Sequence, residues 1–177
     1  SSRKNKKMIS KNLVEALNGQ IEMEAYASFL YLSMSAWCES KGLKGCASFM
    51  RRQSTEENVH MLKLVDYMLD VDTCPTVPQI KQPPVDFESI VTLMNDVYIH
   101  EKKVTKSIHQ LVELCNKEDD FATFNFLQWY VIEQREEESL MRDILDKIKL
   151  IGDGPQSLYY IDKELEAINA LQNTGVQ

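Results

Sequence analysis

Four stretches of the sequence place acidic side chains in the middle of a column of apolar ones. Residues three and four positions apart lie on one face of an α-helix, so steps of this size trace the face that a helix turns towards its neighbours. Between Met94 and Ile108 these steps pass through Glu101, a single carboxylate in an apolar column. The columns of the other stretches are interrupted in the same way, at Glu24, at Glu57 and His60, and at Glu133 and Glu137.

These interruptions are expected to meet at one level of a helical bundle, because each falls close to the middle of its stretch. A single such acid is more often a solvated surface residue, since glutamate is rarely fully buried. Several carboxylates together in an apolar interior would each cost several kcal/mol as bare anions. The columns contain no Lys or Arg to neutralise them. Either most of these acids are protonated or cations lie among them, and we favour metal ions.

The ligand types indicate which metals such a cluster would hold. Carboxylate oxygens with a single imidazole suit iron or manganese, with zinc as a competitor, and the cluster contains no thiolate. Glu57 can share its two oxygens between two metal ions, while His60, one turn further along, binds one of them. Two metal ions with open coordination positions can bind O2 or peroxide between them.

The elements that must position these residues are helices, since strand patterns are almost absent from the sequence. A proline-rich segment over 71–85 forbids regular helix in the middle of the chain, and a Gly-Pro break at 152–155 interrupts it again. The pattern therefore predicts an all-α chain with five helices, over residues 10–38, 43–70, 86–116, 121–151 and 156–171.

The lengths of the connections predict the topology. Short connections make the first and second helices antiparallel, and likewise the third and fourth. The connection over 71–85 can extend to roughly 50 Å, and the second helix is only about 42 Å long. The chain is thus predicted to be a four-helix bundle with one long crossover and a short fifth helix. The apolar stripe of the fifth helix must pack on the outside of its own bundle or on another subunit, a first indication of an oligomer.

Composition and charge exclude several classes of function. The net charge is −7, and removing the four basic residues of the tail at 1–7 leaves −11 on residues 8–177. An acidic body argues against nucleic acid as a partner and favours cations. No apolar stretch is long enough to span a membrane, and no signal-peptide pattern is present. Four widely spaced cysteines fit a reducing compartment, so a cytoplasmic location is predicted. The predicted division is a polar, disorder-prone tail at 1–7, a domain at 8–171 and a tail at 172–177.

Several short motifs are similar to the ferroxidase motifs of non-haem ferritins. The segments 124–130 and 158–165 are typical of bacterial members of that family, and the similarity covers about residues 8–168. The motifs that carry the resemblance are Glu56-Glu57-Asn58-Val59-His60, Glu24 with Tyr31, Glu101, and Glu133-Gln134-Arg135-Glu136-Glu137.

The resemblance implies a ferroxidase centre with two irons, which oxidises Fe(II) to Fe(III) with O2 or H2O2. It also implies a homo-oligomer, a hollow shell of 24 subunits that stores the ferric mineral. The ligands it implies are Glu24, Glu57 and His60 for the first iron, and Glu57, Glu101 and Glu137, with Gln134 close by, for the second.

A third, outer iron site is implied at Glu56, Glu133 and Glu136, with Glu137. Tyr31 matches the tyrosine beside the ferroxidase centre of the family, which takes part in electron transfer.

Some positions depart from the patterns of related proteins. Symmetric di-iron relatives carry a second histidine where this chain has Glu136, so the second iron should be held more weakly and should pass through. Asn58 replaces the methionine that binds haem in bacterioferritins, so no haem is predicted. Phe124 and Leu127 replace the acids that line the three-fold channel of animal heavy chains. The route of iron uptake therefore cannot be carried over.

Three other functions compete with iron storage. A DNA-binding mini-ferritin would need metal ligands at subunit interfaces and usually a basic tail. A metal-free structural bundle would leave the acids of four helices unexplained. A fixed di-iron oxygenase or peroxidase is disfavoured by the missing second histidine.

Overall fold

The computed structural model describes residues 9–174, which form five helices and no strand. The all-α prediction is confirmed, whereas the predicted tail at 1–7 lies outside the described residues. None of the helices in the described range is both long enough and apolar enough to cross a membrane. The helices are α1 (Lys11–Ser40), α2 (Lys44–Asp70), α3 (Ile90–Lys117), α4 (Phe121–Ile151) and α5 (Ser157–Asn173).

Capping side chains set where three of the helices begin. Ser10, Ser89 and Asp120 each accept a hydrogen bond from a backbone N–H in the first turn of α1, α3 and α4. The predicted start of the third helix, residue 86, is wrong by four residues because Ser89 provides the cap. At the other end of the chain α5 continues through Asn173, so the first two residues of the predicted tail at 172–177 are helical.

The core consists of two apolar clusters, one towards each end of the bundle. Phe49, in the first half of α2, and Leu93, in the first half of α3, belong to one cluster. Leu64 and Val104, in the second halves of the same helices, belong to the other. Therefore α2 and α3 run in the same direction, as the prediction of a long crossover required.

A polar layer separates the two clusters at mid-height. Its residues are more than nine-tenths buried and come from all four helices of the bundle. They are Gln20, Glu24, Gln53, Glu57, His60, Glu101, Gln134 and Glu137.

The fifth helix packs on the outside of its own bundle, the first of the two arrangements expected from its apolar stripe. Ile161 and Leu165 of α5 are buried in the cluster that contains the start of α2. The backbone N–H of Cys46, in the first turn of α2, donates to Oδ1 of Asp162 at 2.8 Å. Because Leu43, at the N-cap position, makes no side-chain hydrogen bond, α5 supplies the polar partner that this helix start lacks.

Gly45→Ala is expected to destabilise the protein by about 1–3 kcal/mol, because the new methyl group overpacks the contact between α2 and α5. A Cβ at Gly45 would overlap the carbonyl oxygen of Asp162 and lie 2.9 Å from Cβ of Glu166. Gly19→Ala is the matched control, since nothing lies within 4 Å of its Cβ position. Its removal of a helix-interior glycine should stabilise the protein by about 0.5–1 kcal/mol. Urea unfolding of both variants checks the two signs, and a stabilised Gly45→Ala would contradict the packing.

Candidate metal centre

Glu24 of α1 meets Glu57 and His60 of α2 inside the polar layer. Each of the three offers one ligand atom, and these atoms lie within 4.8 Å of one another. The Nδ1 atom of His60 lies 3.2 Å from Oε2 of Glu57 and 3.9 Å from Oε2 of Glu24. The Nδ1 side of the imidazole therefore faces the two carboxylates, as a metal ligand at this position would.

Glu101 of α3 faces this group from the opposite helix pair, and both of its carboxylate oxygens accept hydrogen bonds. The hydroxyl of Tyr31 donates to Oε1 at 2.5 Å, and Nε2 of Gln134 donates to Oε2 at 3.0 Å. Gln134 also donates to the backbone carbonyl of Glu101 at 3.2 Å, which fixes its position between α3 and α4. Tyr31 and Gln134, both predicted site residues, thus orient Glu101.

Two buried glutamines belong to the site although the sequence suggested no role for them. Nε2 of Gln20 donates to Oε1 of Glu24 at 3.1 Å, and Oγ of Ser107 donates to Oε1 of Gln20 at 2.5 Å. Gln53 is buried in the polar layer, and both atoms of its amide lack a hydrogen-bond partner. Their spacing in the sequence could have indicated this location, since each glutamine lies one helical turn before an acid of the same column.

A second, outer group of acids lies beside the first. Glu56, Glu133 and Glu137 each offer a carboxylate oxygen, and the three atoms lie within 4.8 Å of one another. Glu56 and Glu133 are half-buried, whereas Glu137 is buried and belongs to the polar layer. Glu136, predicted as a ligand of the third iron, is exposed and does not belong to this group.

The column predicted for α4 is wrong by one position over half of its length. The predicted inward-facing residues of α4 included Glu133 and, one turn after Glu137, Leu140, and both are only half-buried. Their neighbours Gln134 and Met141 are buried instead. Steps of three and four allow two neighbouring columns on a helix, and both pass through Glu137. Glu133 consequently lies at the edge of the layer and reaches it from the side, with Oε1 3.5 Å from Nε2 of His60.

Burial and mutual repulsion make the central acids poor anions in the absence of cations. Burial, followed by the charges of Glu101 and Glu24, raises the pKa of Glu57 well above its ordinary value. Burial and the neighbouring Glu101 likewise raise the pKa of Glu137. Burial alone would lower the pKa of His60, but hydrogen bonding to Glu133 and the charge of Glu24 outweigh it and raise that pKa.

The donor atoms that lack hydrogen bonds fit a metal ion. Both carboxylate oxygens of Glu57, Oε2 of Glu24 and Nδ1 of His60 are buried without a hydrogen-bond partner. Buried polar atoms are normally hydrogen-bonded, so several unpaired acceptors within reach of one another form a donor set that suits a cation. Carboxylate oxygens with one imidazole suit iron among the common metals.

Two aromatic contacts surround the centre. His100 packs against Tyr26 and Tyr31 with ring centroids 5.9 and 6.0 Å apart, and burial lowers its pKa to about 4. Trp129 meets the His60 ring edge-on, with the ring centroids 5.2 Å apart. Both rings shield the polar layer from water, and neutral His100 adds no charge to it.

A four-helix bundle whose facing helices aim carboxylates and one imidazole at a shared point defines the class of carboxylate-bridged metal proteins. Comparisons with known proteins narrow this class. The family model of the ferritin-like domain matches residues 14–151. A bacterial non-heme ferritin of Escherichia coli O6:H1 is 41% identical over 162 residues, which cover 92% of this chain and 98% of the relative. One of Campylobacter jejuni is 45% identical over 161 residues, covering 91% and 96%.

A solved structure agrees with these relatives. The open pore ferritin of the hyperthermophilic archaeon Archaeoglobus fulgidus is 45% identical and superposes with a TM-score of 0.87, over 90% of this chain and 97% of its own. The chain belongs to the ferritin family, and its function is iron storage with ferroxidase activity. The predicted resemblance to bacterial non-haem ferritins is confirmed, while the assignment of individual ligands stays a prediction.

Glu137→Gln should stabilise the metal-free protein at neutral pH, by about 1–3 kcal/mol, because it removes a buried charge near other acids. A carboxyl whose pKa is raised on folding contributes stability below its unfolded value, and this contribution is lost as the pH rises through the folded value. The advantage of the variant should therefore disappear as the pH falls below the ordinary value of 4.5.

Urea unfolding across this pH range, with chelator present, measures the difference. Glu113→Gln, at an exposed position of α3, is the matched control and should change neither stability nor its pH dependence. A Glu137→Gln variant less stable than the parent at neutral pH would show that the ionised carboxylate is stabilised by the fold.

Proposed function

We propose that the central group binds two Fe(II) ions and oxidises them to Fe(III), with O2 or H2O2 as the oxidant. The observation that supports this best is Glu57, whose two buried oxygens lack hydrogen bonds beside Glu24 and His60. Two Fe(II) ions supply two electrons. With two protons these electrons reduce O2 to H2O2, or H2O2 to two molecules of water.

The first iron would be held by Glu24, Glu57 and His60. The imidazole would bind through Nδ1, the nitrogen that faces the two carboxylates. Gln20 holds one oxygen of Glu24 and leaves the other, Oε2, free for the metal. Fixing the unused oxygen orients the carboxylate before iron arrives, as partners behind metal ligands commonly do.

The second iron would be held by Glu57, Glu101 and Glu137, with Gln134 close by. Both oxygens of Glu101 are held by hydrogen bonds, and none of the three proposed ligands is an imidazole. Iron at this position would be bound more weakly than the first, which suits a substrate that must leave as Fe(III). Tyr31 donates a hydrogen bond to Glu101 and is placed to supply one of the two electrons in place of an iron, with its proton passing to Glu101.

A third iron would bind at the outer group of Glu56, Glu133 and Glu137. Because Glu137 belongs to both groups, it links the outer position to the second iron. Glu136 would join only by turning in from its exposed position. This outer site would receive iron on its way between the centre and the stored mineral.

The remaining expectations concern the whole assembly. A 24-subunit shell would cover apolar side chains that the single chain exposes, among them Leu158 and Tyr159 of α5 and Phe29 of α1. A DNA-binding mini-ferritin is disfavoured because the central ligands all come from one subunit. We retain the predictions of a cytoplasmic protein that binds no haem, nucleic acid or membrane.

Glu57→Ala and His60→Ala are each expected to abolish rapid Fe(II) oxidation, because each removes a ligand of the first iron while the bundle stays folded. Stopped-flow absorbance after Fe(II) addition measures the fast phase, and circular dichroism checks the fold. His109→Ala, at an exposed position of α3 away from the layer, is the matched control and should keep the fast phase. An unchanged fast phase in both site variants would exclude the central group as the oxidation centre.

Glu133→Ala should leave the first turnover largely intact and change the later phase, because Glu133 belongs to the outer group rather than the central one. Anaerobic soaking of crystals with Fe(II) should give three metal peaks in the parent and two in this variant. Glu136→Ala tests whether the exposed carboxylate of Glu136 also binds the third iron. If it does, the outer metal peak weakens in this variant too. Two filled positions and no third peak in the parent would rule out the outer site.

A further inference from the structure

Arg52 differs from the other basic side chains in contacting both the outer acid group and α5. Its Nη2 lies 3.3 Å from Oε1 of Glu56, one helical turn away. Its Nη1 donates to Oε1 of Gln172 at 2.9 Å and lies 3.4 Å from the carbonyl oxygen of Asn169, both near the end of α5. Within residues 9–174, no other Lys or Arg forms an ion pair with an acid of either group.

We propose that Arg52 is a positioning residue that competes with the cation for Glu56 and so keeps the outer site weak. This inference rests on the outer site proposed above. A cation held by Glu56, Glu133 and Glu137 would come close to the guanidinium, and the two positive charges would repel each other. The side chain of Arg52 is about three-quarters buried and that of Glu56 about two-thirds, which reduces screening of this repulsion by water and salt.

The end of α5 gives the guanidinium a second place to bind. The C-terminal end of a helix carries partial negative charge, and Gln172 lies in the last turn of α5, so a cationic side chain is stabilised there. The two terminal nitrogens of Arg52 can serve different partners at once, Nη1 for α5 and Nη2 for Glu56. When a cation draws Glu56 away, Arg52 keeps its hydrogen bond to Gln172 and is not left unpaired.

Such an exchange suits a site through which iron passes. Glu56 alternates between the guanidinium and the cation, so iron at the outer position is held briefly and then released. Within residues 9–174 the acids of the central group pair with no Lys or Arg, so the same competition does not act on the first iron. Arg52 thereby adds to the difference in retention between the two positions.

Three variants test this role in the full chain. Arg52→Gln removes the charge but keeps an amide that can bond to α5, Arg52→Lys keeps the charge, and Arg51→Gln changes an exposed neighbour. Crystals of each are soaked anaerobically with graded Fe(II), and anomalous peak heights are compared between the outer and central positions. In Arg52→Gln the outer position should fill at about tenfold lower Fe(II), with the central positions unchanged.

Arg52→Lys should stay within about twofold of the parent, because the repulsive charge remains. Arg51→Gln should match the parent. An outer position that fills in Arg52→Gln at the same Fe(II) as in the parent, or that shifts equally in Arg51→Gln, overturns the role of Arg52 and leaves the outer site standing. The absence of an outer peak from the parent and every variant at all concentrations overturns the outer site itself, and this inference with it.

Discussion

Crowding of carboxylates at the centre of an apolar bundle is the constraint on which the rest of this structure depends. It divides the core into two clusters, because no apolar side chain can occupy the level that the acids need. The helices extend well beyond this level on both sides. Apolar packing at the two ends of the bundle must therefore offset the repulsion between the acids in the middle. Metal ions relieve that repulsion, so the metal-free fold already has the arrangement of acids that binds cations.

Hydrogen-bond donors decide which oxygens remain available in this layer. Glu101 has both oxygens engaged, Glu24 has one, and Glu57 has none. Of these three, Glu57 is the one proposed to contact two metal ions, and a bridging carboxylate needs both oxygens free. The donors are neutral amides and hydroxyls, such as those of Gln20 and Tyr31, which orient a carboxylate without cancelling its charge.

The sequence predicted that Glu24, Glu57, His60 and Glu101 face the bundle interior, because their helices offer one unambiguous column. On α3 every predicted column residue from Ile90 to Cys115 is buried, with Glu101 as the single acid. On α4 the pattern predicted that Glu133 faces inwards, whereas Gln134 is the buried residue. The apolar residues of this helix support two neighbouring columns, and the sequence does not choose between them. The start of α3 was misplaced because a capping serine can lie anywhere in a polar segment. Contacts such as that of Arg52 with α5 depend on how helices from distant parts of the chain cross, which periodicity does not contain.

The contact between Asp162 and the first turn of α2 joins residues 116 positions apart in the chain. During synthesis, α2 emerges from the ribosome long before its capping partner exists. The first turn of α2 therefore lacks this hydrogen bond until α5 has been synthesised. Docking of α5 is then a late step that completes the fold. A chain interrupted before α5 would carry the complete central ligand set on a bundle whose second helix begins without a cap.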